Sequence, residues 1–214
     1  VVPVLEVSNF TKLNFEADII EWQDNDGFQH AFDKAFQLLG DDFTLGIEGQ
    51  LMRAFEMQAI TKAAKNVKIE NAHKIISKIR LNKDEYEINN LTKAIEVAEL
   101  ALQDTLGFIK EGLTEVEIKS FLMQQLLKFG AQDIAFEPLV LAGSNSALCH
   151  GHSRNDYKII NGDCLLFDFG ATINGYHSDI TRTFFLNSAS DESKNMYDVV
   201  LRANQTGRQI SKPG

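Results

Sequence analysis

The sequence predicts an α+β architecture in two parts, on three observations. Residues 1–80 alternate strand-like and helix-like runs. Residues 84–130 carry two long amphipathic helices, each opened by a capping-box signature. From Phe136 onward short strand-like runs follow one another, separated by turn residues. The texture changes at residues 78–84, so the expected division is a partial α/β domain at 1–79 and a second domain at 80–214.

In the first part, "VVPVLEV" and "ADIIEW" read as strands. Phe28, Ala31, Phe32, Ala35, Phe36 and Leu39 recur at helical spacing, "FTLGIEG" is strand-like, and Leu51, Phe55, Ala59 and Ala63 mark a second helix. "LGIEG" lacks the glycine spacing of a phosphate cradle. In the second part, Asp84 with Glu87 opens a helix whose apolar face is expected to be Ile88, Leu91, Ile95, Ala98, Leu102 and Leu106, running to Gly112. Thr114 with Glu117 opens another, with Ile118, Phe121, Leu122 and Leu126 on its core side and Gly130 as its stop. "FEPLVLAG", "DCLLFDFGA" and "GYHSDITRTFF" read as strands, and a last amphipathic helix starts near Ser190.

Composition excludes some functions. With 21 basic and 30 acidic residues the net charge is −9, which offers no basic footprint for nucleic acid or an anionic membrane. No apolar run approaches the roughly 18 residues of a membrane span. The chain opens without Met in strand-like sequence, and a piece upstream is expected to be missing. Cys149 and Cys164 form no disulfide framework and fit a reducing, cytoplasmic compartment.

The stretch "LLFDFGATINGYHSDITRTFF" carries the chemistry. Asp168 interrupts a run that reads as a buried strand, and burying a lone carboxylate costs several kcal/mol unless a cation or donors compensate it. Asn174-Gly175 is the strongest short hairpin signal. A turn centred on it sets Asp168 opposite Thr181 with Asp179 diagonal; a wider loop sets the two aspartates directly opposite. Either register puts both carboxylates on one face, roughly 4.5–8 Å apart at Cβ, with His177, Thr181 and Thr183. Leu165, Phe167 and Phe169 take the other face. Like charges so placed call for a cation between them. The competing structural readings are a buried Arg partner for Asp168 and a turn-capping role for Asp179. "DFG" also occurs in the kinase magnesium motif, but no Gly-rich loop or strand lysine precedes it. His150 and His152 lie in a Gly/Ser/Asn-rich loop, "ALCHGHSRN", where a histidine is more often structural than catalytic.

Taken together, four spaced motifs resemble the Xaa-Pro peptidase family (prolidase, or Xaa-Pro dipeptidase, and aminopeptidase P), which has the pita-bread fold. They are Ala147-Leu148-Cys149-His150-Gly151, Asn161-Gly162-Asp163, Asp168-Phe169-Gly170-Ala171 and Gly175-Tyr176-His177-Ser178-Asp179-Ile180-Thr181-Arg182-Thr183. The resemblance covers residues 80–214 and extends more weakly into residues 1–78, similar to the latter half of a creatinase-type N-terminal domain.

The resemblance implies metal-dependent hydrolysis of an Xaa-Pro bond in dipeptides or at peptide N-termini, by a cytoplasmic homodimer that acts on proline-containing peptides. It implies two divalent ions, manganese first and cobalt or zinc as alternatives. Asp168 matches the carboxylate that serves one ion, Asp179 the carboxylate shared by both, and His150 the substrate-binding histidine. Cys149 departs from the family, which has Pro there. The family's remaining ligands, a His and two Glu, fall downstream of Gly214, so the chain is expected to hold the first half of a pita-bread domain and to be inactive alone. The alternative from another class is a non-catalytic pita-bread module that binds peptide or protein.

Overall fold

The computed structural model describes residues 1–213, which separate into two compact units, Val1–Asn82 and Lys83–Gly214. In the first unit, β1 (Val2–Pro3) and β2 (Glu21–Trp22) pair in parallel around α1 (Val4–Lys12), and α2 (Gln29–Leu39) follows. β3 (Thr44–Ile47) pairs in parallel with β4 (Lys68–Asn71) across α3 (Ala54–Ala63), and α4 (His73–Leu81) closes the unit. Its small core is Phe36, Ile60 and Ala64, with Phe32, Phe43, Leu45 and Val67 packed against them.

Two strand expectations fail here. The strand expected over "VVPVLEV" is two residues long, and from Val4 the chain is helical. Pro3 in extended conformation caps the helix, Glu6 lies in its first turn and Lys12 in its last, which suits the helix dipole. The strand preference of Val is a weak prior that context overrides. The strand expected over "ADIIEW" likewise shrinks to Glu21–Trp22. β4 and α4 had no counterpart in the sequence reading.

The second unit is an antiparallel sheet system packed on two helices. α5 (Glu85–Phe108) and α6 (Glu115–Lys128) each start with the expected capping box, in which Asp84 and Thr114 accept from the Glu87 and Glu117 amides. Gly130, at φ +106°, provides the left-handed stop after α6. Three strands, β10 (Ile180–Phe185), β7 (Cys164–Phe169) and β6 (Leu139–Ala142), form one sheet in that order. A second sheet orders β5 (Asp133–Ile134), β8 (Ala171–Ile173) and β9 (Tyr176–His177). α7 (Asp191–Ile210) follows, capped by Ser190.

The core of this unit joins Ile118, Leu122 and Leu126 of α6 to Val140, Leu165, Phe167 and Phe169 of the sheet. α5 buries Ala98 and Leu102 as expected, but its buried face turns toward the small residues beside them. Ala94, Ala98, Ala101 and Thr105 are buried, whereas Ile88, Ile95 and Leu106 are exposed. Small side chains let the α5 backbone approach α6 and β8 closely, and the Thr105 hydroxyl is satisfied by donating to the Ala101 carbonyl (2.7 Å).

Candidate active site

The hairpin adopts the register centred on Asn174-Gly175. Asp168 pairs with Thr181 and Phe169 with Ile180, and beyond a break Thr172 pairs with His177 and Ile173 with Tyr176. Asn174 (φ +50°) and Gly175 (φ +80°) both take the positive φ of a type I′ turn. The turn is tied down from two sides. Asn174 exchanges hydrogen bonds with the Gln132 amide (2.7 and 3.0 Å) and donates to Asn90 Oδ1 on α5 (3.0 Å).

The chain crosses from one sheet to the other at Gly170 and Ser178. A Cβ on Gly170 would lie 1.8 Å from the Ser178 carbonyl oxygen, so only glycine fits there. Ser178 is buried and bridges the gap: its amide donates to the Ala171 carbonyl (3.0 Å) and its hydroxyl accepts from the Ala171 amide (2.9 Å). With Ser178 and Ile180 both buried, Asp179 between them faces outward.

Asp168 shares its face with Thr181 and Thr183, and the alternation across buried Ser178 and Ile180 turns Asp179, just ahead of β10, to that same side. Thr181 Oγ1 donates to Asp168 Oδ1 (3.1 Å). His177 is held within the second sheet by Thr172 Oγ1 (2.8 Å). The expectation of two buried carboxylates is corrected: Asp168 is half-buried and Asp179 is exposed. The cause is coverage. α7 runs beside the far end of this face, where a half-open cleft of about 430 Å3 is lined by Cys164, Leu166, Thr183, Phe185, Met196 and Val200, while Thr181 at the aspartate end is open. No arginine takes up Asp168 among the described residues; Arg182 points to the opposite face, donating to the Thr181 carbonyl (3.0 Å) and approaching Glu99 (3.9 Å).

His150 is exposed in a turn that follows the 3-10 segment Gly143–Ala147. This loop leaves β6, whose Leu139 and Leu141 stand opposite Asp168 and Leu166. Gly151 is buried, and a Cβ there would lie 3.1 Å from Leu141 Cδ1. Leu141 projects from the aspartate face, so the His150-Gly151 segment folds over that face. Cys149 and His152 are exposed in the same loop.

Sequence reasoning missed what holds this loop. Glu115, the first residue of α6, is wholly buried. Its Oε1 accepts from the Ala142 amide (2.7 Å) and Arg154 Nη2 (2.9 Å); its Oε2 accepts from the Arg154 amide (2.5 Å) and Asn145 Nδ2 (2.9 Å). Asn145 Nδ2 also reaches the His152 carbonyl (3.0 Å), and Arg154 Nη2 reaches the Ala142 carbonyl (2.8 Å). The hydrogen bonds to Glu115 raise the pKa of Arg154. Arg154 lies 4.3 Å over the Tyr157 ring, whose hydroxyl donates to Asp163 Oδ2 (2.9 Å). Burial and then this hydrogen bond push the Tyr157 phenol up. Asp163, with the Ile160 amide as a further donor (2.9 Å), is thus a structural carboxylate.

The donor chemistry at Asp168 and Asp179 fits part of a divalent metal site: two carboxylates suit a hard or borderline cation. Among the described residues no group of three or more His, Cys, Asp or Glu side chains could hold a metal ion.

Comparison with known proteins bears on what the arrangement is for. The model of metallopeptidase family M24 matches residues 89–214. The Xaa-Pro dipeptidase of Pyrococcus furiosus is 34% identical over 184 residues, which is 86% of this chain and 52% of that protein. The prolidase of Thermococcus sibiricus superposes with a TM-score of 0.90 at 27% identity, covering 100% of this chain and 57% of that one. The X-Pro aminopeptidase of Thermotoga maritima superposes at 0.82 with 30% identity, covering 100% and 60%. The chain spans about half the length of the curated relatives it matches. With more than half of its residues matched by the family model, and its α+β architecture that of these pita-bread structures, the chain belongs to metallopeptidase family M24.

Proposed function

We propose that the whole protein hydrolyses the Xaa-Pro bond of dipeptides or peptide N-termini with the help of two divalent metal ions. The observation that carries this reading is the pair Asp168 and Asp179 on one face of a hairpin with a fixed register, in a chain similar to a prolidase and an Xaa-Pro dipeptidase. Asp168 would hold one ion and Asp179 would be shared by both. Manganese suits carboxylate ligands, with cobalt or zinc as alternatives. When bound, such ions supply Lewis-acid activation of the scissile carbonyl and of water.

The chain's own residues do the remaining work. The Asn174-Gly175 turn fixes the register, and Ser178 with Gly170 fixes the crossing that aims Asp179 outward. Thr181 orients one oxygen of Asp168 and leaves the other available. His150, on the loop folded over this face, contacts the substrate amide and donates a proton to it. A prolyl amide nitrogen carries no hydrogen, so the substrate cannot dock by the strand-type bond that nitrogen would otherwise make.

The same reading takes the first unit as the latter part of a creatinase-type N-terminal domain and the protein as a cytoplasmic homodimer. Cys149 and Cys164 are free thiols, as a reducing compartment requires. Among the described residues no helix is long and apolar enough to cross a membrane.

The test uses protein made from the complete reading frame, assayed on Ala-Pro, Gly-Pro and Ala-Ala with added manganese and again with a chelator. The expected result is chelator-sensitive cleavage of the proline substrates in preference to Ala-Ala. No cleavage under any metal would overturn the reading and leave a pita-bread module that binds peptide without cutting it.

A further inference from the structure

From the geometry around Glu115 we infer that this residue is a positioning residue for the reaction: its buried carboxylate sets where the His150 loop sits over the aspartate face. The inference rests on the reading of His150 as the substrate-contacting residue.

A wholly buried carboxylate is retained only when donors and a counter-charge compensate it, and every partner of Glu115 named above lies on the loop or at its ends. The Ala142 amide is where the loop leaves β6, and the Arg154 amide is where it returns. One carboxylate thereby joins two chain ends twelve residues apart, and the Arg154 guanidinium closes the ring by reaching both Glu115 and the Ala142 carbonyl. Inside this ring Asn145 ties the carboxylate to the His152 carbonyl, two residues from His150. Ser153 adds a contact to the Val140 carbonyl (2.9 Å).

No comparable holding force acts on the tip. Leu148, Cys149, His150 and His152 are exposed, and only Gly151 is buried, against Leu141. Glu115 stands at the start of a rigid helix whose core residues Ile118, Leu122 and Leu126 are fully buried, so the clasp has a fixed base. The helix N-terminus further favours the charge. Asp168 and Asp179 are placed by the hairpin and its turn, not by this clasp. Loss of the clasp should therefore displace His150 and leave metal binding alone.

The experiment compares Glu115→Gln, Asn145→Ala and His150→Ala with wild type, all from the complete reading frame. Each is measured for kcat, KM, manganese stoichiometry and thermal unfolding. Asn145→Ala cuts the tie to the loop while Glu115 keeps Arg154 and the Ala142 amide, so it remains informative if Glu115→Gln does not fold. Misplacement by about 1 Å can cost on the order of 100-fold in rate. The expected result is a kcat lowered about 10–100-fold in the folded clasp variants, with KM within about threefold and manganese stoichiometry unchanged. If His150→Ala is strongly impaired but folded clasp variants turn over within about threefold of wild type, the clasp inference alone is overturned. If the clasp variants lose manganese together with activity, Glu115 is a general structural residue and the inference is likewise overturned. Near-normal turnover by His150→Ala would overturn the role of His150 and the inference with it.

Discussion

The β7–β10 hairpin and the 143–154 loop both carry candidate site residues, and they hold them by different physics. The hairpin uses main-chain pairing. Six consecutive residue pairs join β7 to β10, an Asn-Gly turn sets the register, and a glycine permits the crossing between sheets. The loop has little such pairing, and its path depends on the side chains of Glu115, Asn145 and Arg154. The hairpin can be read from local sequence because its determinants lie within about twenty residues. The clasp cannot, because Glu115 meets partners 27, 30 and 39 residues downstream.

The largest effect should come from removing the hairpin's carboxylates. Asp168→Ala or Asp179→Ala should lower kcat/KM on an Xaa-Pro substrate by at least about 10³-fold, since metal activation supplies several kcal/mol and each factor of ten is about 1.4 kcal/mol. Steady-state kinetics of either variant with saturating manganese checks this. A loss below about tenfold would remove the difference drawn between the two regions, because the hairpin would then carry no more function than the loop.

Next comes the scaffold of the hairpin. Gly170→Ala places a Cβ 1.8 Å from a backbone oxygen that cannot swing aside, and overpacking of this kind costs about 3 kcal/mol or more. The denaturant midpoint should fall accordingly. An unchanged midpoint would mean that the sheet crossing is not fixed as described.

How much was legible follows from the same contrast. The capping boxes at Asp84 and Thr114, the stop at Gly130, the Asn174-Gly175 turn and the helix start near Ser190 all depend on neighbours within a few residues, and all are present; which of the two open registers forms is seen only in the structure. The α1 segment was misread because its β-branched valines argue for a strand while Pro3, Glu6 and Lys12 argue for a helix. The α5 face departs from expectation only in part: Ala98 and Leu102 are buried as expected, while close packing also selects Ala94, Ala101 and Thr105 and leaves Ile88, Ile95 and Leu106 exposed. The exposure of Asp179 depends on which element covers the sheet face, and that is a tertiary fact. Glu115 looked like one more acidic residue in a helix's first turn.

Smaller effects sharpen the comparison from the loop side. Thr114→Ala removes the cap of the helix that begins with Glu115, and loss of such a cap costs about 1 kcal/mol. Its thermal midpoint should drop by a few degrees, with metal binding unaffected. The same cap carries a pH dependence. The Thr114 amide and then its hydroxyl hold Glu117 below its ordinary value of 4.5. A carboxylate whose folded pKa is depressed stabilises the fold above the unfolded value, and that contribution disappears as pH falls through the folded one. The stability difference between wild type and Glu117→Gln should therefore be constant above about pH 5 and shrink below 4.5. A difference that grows in acid would contradict the cap.

The central claim is that Asp168 and Asp179 hold metal together, with Asp179 shared between two ions. Calorimetric titration of manganese into the metal-stripped protein, made from the complete reading frame, tests it most directly when repeated on Asp179→Ala. The account predicts two ions per chain for the wild type and loss of the shared-site binding in the variant, with the circular dichroism of the fold retained. Two ions bound with unchanged affinity by a folded Asp179→Ala protein would contradict it.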